Sequence, residues 1–112
     1  MKGFQTMAET VQSQIPTADP ILLRQDADGV ATLTMNRPAA RNALSVGLMA
    51  EMKRKIDAIA EDDAIRVVVI AANGPAFCAG HDLREMRDNP GREQYQALFT
   101  QCSELMLAII GL

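Results

Sequence analysis

The chain has 112 residues, enough for one domain or a piece of one. Hydrophobic residues make up 48% and charged residues 22%, which permits a buried core, while a net charge of -3 with Lys and Arg mixed among acids argues against nucleic acid as a partner. Two cysteines, no apolar signal-peptide region and no apolar run of membrane-spanning length argue against a secreted disulfide scaffold and a membrane span, leaving a reducing compartment as the expectation.

Residues 1–19 are polar and lead into Pro20, a composition that predicts a flexible leader ahead of a folded unit over residues 20–112. Ile21-Leu22-Leu23-Arg24-Gln25 reads as a first strand. Asp26-Ala27-Asp28-Gly29 reads as a turn, with Asp-Gly supplying the positive φ of a tight hairpin. Val30-Ala31-Thr32-Leu33-Thr34-Met35 alternates apolar and small polar residues, which predicts a second strand antiparallel to the first. Pro38, lacking an N–H, stops the ladder.

Ser45 is a good N-cap for a helix whose apolar face is Leu48, Met49, Met52, Ile56 and Ile59, ending near Asp62-Asp63. Val67-Val68-Val69-Ile70-Ala71-Ala72 is a continuous β-branched and small apolar run. It predicts a strand buried on both faces, as in a parallel sheet. Asn73-Gly74-Pro75 breaks it. A loop follows, then a short helix over residues 82–87, and a second break at Asn89-Pro90-Gly91. The last segment carries Tyr95, Leu98, Phe99, Cys102, Leu105, Met106, Ile109 and Ile110 on one helical stripe. With no polar tail and no partner element for that stripe, a truncated product is the expectation. The order β-β-α-β-loop-α-α implies an α/β fold, a mixed sheet with flanking helices.

Two segments stand out for chemistry. The first is Met35-Asn36-Arg37-Pro38-Ala39-Ala40-Arg41-Asn42-Ala43-Leu44-Ser45. Small residues let a ligand approach the backbone and Arg suits phosphate, but an ordinary strand-to-helix connection with surface arginines has the same composition. The second is Gly74-Pro75-Ala76-Phe77-Cys78-Ala79-Gly80-His81-Asp82-Leu83, between a buried strand and a helix. Unpaired N–H groups at such a place can stabilise an oxyanion or attract an anion. A simple helix-capping loop with Asp82 as the cap is the other reading.

Asn36-Arg37-Pro38-x-x-x-Asn42-Ala43-Leu44, then a helix, the strand Val67-Val68-Val69-Ile70, and Phe77-Cys78-Ala79-Gly80-His81-Asp82-Leu83 together resemble the crotonase superfamily, the enoyl-CoA hydratase/isomerase proteins. The resemblance runs from Ile21 to the end and covers the front part of a typical member. His81 and Gln101-Cys102-Ser103 look most like its subgroup of enoyl-CoA hydratase domain-containing protein 3. The implied fold is the crotonase (ClpP-like) β-β-α spiral, in its N-terminal part.

The resemblance also implies roles. Ala40, Arg41 and Ala43 line up with positions that contact coenzyme A. Cys78, Ala79, Gly80, His81, Asp82 and Leu83 line the acyl-CoA site, and the Ala79 backbone N–H is one oxyanion-hole donor. The implied reaction is hydration of 2-enoyl-CoA in fatty-acid metabolism. Isomerase and hydrolase chemistry share the same enolate-stabilising site. No separate cofactor is expected, since coenzyme A enters as part of the substrate. Homotrimers or hexamers, and a cytoplasmic location (the mitochondrial matrix in a eukaryote), complete the implication. The family's second oxyanion donor and its proton-transferring acids match no residue here, so an inactive acyl-CoA-binding or partner-binding remnant is the alternative. Glu85 and Glu104 read as surface acids. Cys78 and His81 lack the further ligands a metal site needs, and a redox role for Cys78 is the remaining rival.

Overall fold

A computed structural model describes residues 19–112. The predicted leader, apart from Asp19, lies outside the described residues. Two strands come first: β1 at Leu22–Ala27 and β2 at Val30–Met35. They pair antiparallel across Asp28-Gly29, with Ala27 opposite Val30. Both turn residues have positive φ, 53° and 80°, which matches the right-handed twist of a two-residue hairpin.

A 3-10 turn at Pro38–Ala40 then leads to helix α1 at Val46–Ala60. Ser45 caps α1, its hydroxyl accepting from the Leu48 N–H. The helix returns the chain to strand β3 at Val67–Ala72, which pairs parallel with β2 in the register Val30 to Val67. The sheet order is β1-β2-β3. Two helices follow: α2 at Leu83–Asp88, capped by Asp82, and α3 at Arg92–Ile110.

The core forms where the inner face of the sheet meets α1 and α3. Ala31, Leu33 and Met35 alternate with half-buried Thr32 and Thr34, as a period of two requires. Leu22 joins them from β1. From α1 come Leu48, Met49, Met52, Ile56 and Ile59, and from α3 Leu98 and Leu105. The mixed α/β sheet with flanking helices is therefore as the sequence implied.

Three expectations need correction. Strand β3 is covered on one face only, and partly there: Val67 and Val69 are exposed, while half-buried Val68 and Ile70 pack against the core. An unbroken β-branched run fits either situation, because periodicity carries no information when every position is apolar. The α3 stripe, for which the sequence offered no partner, is partly covered: Leu98 and Leu105 pack into the core, while Phe99, Met106 and Ile110 stay exposed. Helix α1 ends at Ala60 with Glu61 as its C-cap, so the two aspartates lie past the helix end, where its dipole penalises them less.

Candidate functional site

The segment between β2 and α1 folds back on itself through an internal network. Arg41 and Asn42 both take positive φ, 54° each, which reverses the chain tightly after the 3-10 turn. Asn tolerates this conformation better than most residues. The Asn42 side chain is fully buried and works as a three-way tie. Its Oδ1 accepts from the Arg37 N–H at 2.8 Å. Its Nδ2 donates to the carbonyls of Asn73 at 2.8 Å and Ala76 at 2.9 Å. The turn after β2 is thereby fastened to the loop after β3.

Residues 41–44 then run alongside residues 79–82 as a short parallel ladder. The Ala79 N–H donates to the Arg41 carbonyl at 3.1 Å, the Leu44 N–H to the Gly80 carbonyl at 2.7 Å, and the Asp82 N–H to the Leu44 carbonyl at 3.1 Å. Leu44 and His81 are the bridge partners. In a parallel bridge the N–H of the residue flanked by the two bonded neighbours points the other way. The His81 N–H accordingly faces away from Leu44, and it makes no hydrogen bond among the described residues.

This geometry overturns one expectation. The Ala79 N–H is committed to Arg41 and is unavailable as an oxyanion donor. The amide turned outward is that of His81, two residues on. A linear motif of small residues shows that amides are exposed somewhere in the loop, but the choice among them is made by a pairing with Leu44, 37 positions away.

Side chains close the site. Arg37 donates from Nη1 to the Ala43 carbonyl at 2.6 Å and from Nη2 to Asp82 Oδ2 at 3.1 Å. Asp82 also accepts from the Glu85 N–H through Oδ1 at 3.1 Å, capping α2. That backbone N–H, first, and the Arg37 guanidinium hold the Asp82 carboxyl below the usual carboxylate range, against the opposing effect of burial. The His81 ring leans on Phe99, centroids 5.4 Å apart at 58°, and its Nδ1 is buried without a partner among the described residues. His81 and Phe99 form one wall of a groove of about 480 Å³ along α3, whose other walls include Cys102, Ser103 and Met106.

The remaining candidates divide. Gly80, at φ 91°, is exposed with open space around it, and Leu83 is exposed beside it. Cys78 is half-buried and packs against the core, as a small hydrophobe does. Arg41 is exposed, and Ala40 is half-buried next to it. Ala43 is buried, with its carbonyl occupied by Arg37, so its side chain serves packing. Among the described residues no group of three or more His, Cys, Asp or Glu could hold a metal ion, and no helix is long and apolar enough to cross a membrane.

Arg37 and Asn42 do the joining, and the sequence signal for them was weak. An arginine in a turn suggests a ligand, whereas Arg37 faces inward. Glu85 is also more than a surface acid: its carboxylate accepts from the Val46 N–H at 2.8 Å, adding a cap to α1. Glu104 is exposed, as expected.

Comparison with known proteins agrees with this architecture. A family described as Enoyl-CoA hydratase/isomerase matches residues 25–111. The enoyl-CoA hydratase domain-containing protein 3 of Mus musculus, described as mitochondrial, is 38% identical over 82 residues, covering 73% of this chain and 27% of its own length. An enoyl-CoA hydratase structure from Mycobacterium smegmatis superposes with a TM-score of 0.79 at 53% identity, over 81% of this chain and 36% of that one. Human enoyl-CoA hydratase domain-containing protein 3 superposes with a TM-score of 0.73 at 30% identity, over 79% of this chain and 35% of that one. The chain thus spans about a third of the length of the relatives it matches. With its fold, its two motifs and its family match in agreement, the chain belongs to the enoyl-CoA hydratase/isomerase family, in the crotonase superfamily.

Proposed function

We propose that this protein binds an acyl-CoA thioester at the 77–83 loop and stabilises its enolate-like oxyanion with the His81 backbone N–H. The observation carrying this reading is the His81 amide, turned away from Leu44 and without a partner among the described residues, on a peptide unit fixed by the Leu44–Gly80 hydrogen bond. A thioester carbonyl gains negative charge as its α-carbon becomes enolate-like. A donor already fixed toward that position stabilises the charge without reorganisation, and losing one such donor costs about 10²–10³ in turnover. The groove along α3 suits an acyl chain, being lined largely by Phe99, Met106 and Leu107. Arg41, exposed in its reversed turn, is the cation offered to coenzyme A phosphates. Hydration of 2-enoyl-CoA in fatty-acid metabolism is the favoured reaction. No separate cofactor is required by it. A cytoplasmic location, or the mitochondrial matrix in a eukaryote, and assembly as trimers or hexamers belong to the same proposal; the relatives from Mus musculus and Rattus norvegicus are described as mitochondrial.

The test is hydration of crotonyl-CoA by the full chain, followed as loss of ultraviolet absorbance, with the His81 amide replaced by an ester through semisynthesis. Turnover falling about 10²-fold or more on that single-atom change supports the donor role. Unaltered turnover removes it.

A second reading is binding without turnover, as an acyl-CoA-binding or partner-binding unit. It is favoured by the state of the nearby acids: Asp82 is held by Arg37 and Glu85, and Glu85 by the Val46 N–H. Both carboxylates already accept hydrogen bonds that cap helices within the fold. Crotonyl-CoA that binds by calorimetry yet is not hydrated distinguishes this reading from the first.

A further inference from the structure

Arg37, Leu44 and His81 are linked by an unbroken line of hydrogen-bonded peptide groups. The Arg37 guanidinium donates to the Ala43 carbonyl at 2.6 Å. That carbonyl shares its peptide plane with the Leu44 N–H, which donates to the Gly80 carbonyl at 2.7 Å. The Gly80 carbonyl in turn shares its plane with the His81 N–H. In a trans peptide the C=O and the N–H point in opposite directions. The three donors therefore follow one another head to tail, from a permanent positive charge to the amide at the end of the line.

From this arrangement we infer that Arg37 is a positioning residue: through two peptide groups it aims and polarises the His81 N–H. Hydrogen bonds in series strengthen one another, because each carbonyl that accepts makes its own N–H a better donor. A cation at the head polarises every link in the same sense, toward the place where negative charge would develop. The other arm of the guanidinium fixes the far side of the same loop. It holds Asp82, whose N–H donates to the Leu44 carbonyl and whose Oδ1 caps α2. Gly80, at φ 91°, has no side chain, and a Cβ there would meet nothing within 4 Å, so no side-chain packing steadies its peptide plane. The bond from Leu44 holds its carbonyl, and Arg37 donates to the other end of that donating peptide group. Arg suits this task better than Lys, since a planar fork reaches two acceptors at once and a single ammonium is a point charge.

The inference rests on the thioester reading for its purpose but not for its test. In the ligand-free full chain, NMR reads the scalar coupling across the Leu44 N–H to Gly80 C=O bond and the residual dipolar coupling of the His81 N–H. Arg37→Met is expected to weaken the first and shrink the second, while the α1 amides keep their couplings. Asp82→Asn, which spares the Arg37–Ala43 bond, is expected to preserve the Leu44–Gly80 coupling. Should Arg37→Met not fold, Arg37→Lys is read in the same way. Unchanged couplings in whichever of these Arg37 variants folds overturn the inference. With crotonyl-CoA the same variant is expected to lose roughly tenfold or more in kcat with little change in KM, since misaimed groups affect the transition state most. A rise in KM at constant kcat overturns the polarising role. A wild-type chain that fails to bind crotonyl-CoA refutes the thioester reading alone, and the couplings still decide the relay.

Discussion

Arg37 and Asp82, 45 positions apart in sequence, are joined by a 3.1 Å hydrogen bond between partly shielded groups. The contact makes the turn after β2 and the loop after β3 one mechanical unit. It also gives this unit a pH dependence.

The Asp82 carboxyl sits below the usual carboxylate range, chiefly through the Glu85 N–H and then through Arg37. Its unfolded reference is about 3.9. The folded value is the lower one, so the stabilisation is fully present above the unfolded value and is lost as pH falls through the folded value. Wild-type thermal midpoints should therefore hold down to about pH 5 as far as Asp82 is concerned, then drop more steeply below about pH 4 than those of Asp82→Asn. The Asn variant keeps the cap but has no charge to lose. Circular-dichroism melts at stepped pH make the comparison. Parallel curves for the two proteins below pH 4 would remove Asp82 from the acid response.

Asn42 is expected to be the most sensitive polar position. Asn42→Ala removes a fully buried amide and leaves the partly buried Arg37 N–H and two loop carbonyls without their partner. Each buried unsatisfied group costs about 1–3 kcal/mol, so a loss of at least about 3 kcal/mol is predicted from urea unfolding. Asn42→Asp keeps the acceptor but loses both donations and faces two carbonyls with a charge. It should be no better. A cost under about 1 kcal/mol for the Ala variant would mean that water replaces the amide.

The two loop glycines should respond differently to Ala, although each has φ 91°. At Gly80 an added Cβ meets nothing within 4 Å, so the cost is the backbone term alone, about 1–2 kcal/mol. At Gly74 it would lie 2.7 Å from the Pro38 Cβ, where the Asn-Arg-Pro turn packs on the loop. Overpacking adds about 1–3 kcal/mol there. Gly74→Ala should be the more destabilising by chemical denaturation. Equal costs would show that the two segments separate easily, against the network described above.

Much of this was readable from local sequence. The bounds of β2 and β3, the Asp-Gly hairpin and the Ser45 cap follow from alternation, turn chemistry and capping, which act within a few residues. What local pattern could not supply was pairing at a distance. The identity of the amide turned away from the bridge rests on Leu44 meeting His81, and the inward direction of Arg37 rests on Ala43 and Asp82. The exposed outer face of β3 escaped for a related reason. Val67 and Val69 are as apolar as Val68, and only the layers actually present decide which face is covered.

The last prediction concerns association. Leu107 is 67% exposed and Ile110 78%, on a helix that also presents Phe99 and Met106. Apolar area removed from water is worth about 25 cal/mol per Å². A contiguous exposed patch of this kind marks an interaction surface. The 112-residue chain should therefore associate with rising concentration in sedimentation-velocity runs. Leu107→Glu with Ile110→Lys should shift it toward monomer while leaving its helical circular dichroism intact, because neither side chain belongs to the core. A wild-type chain that stays monomeric across the concentration range, with a sharp cooperative melt, would show that this face tolerates water and that the core of β2, α1 and α3 is sufficient by itself.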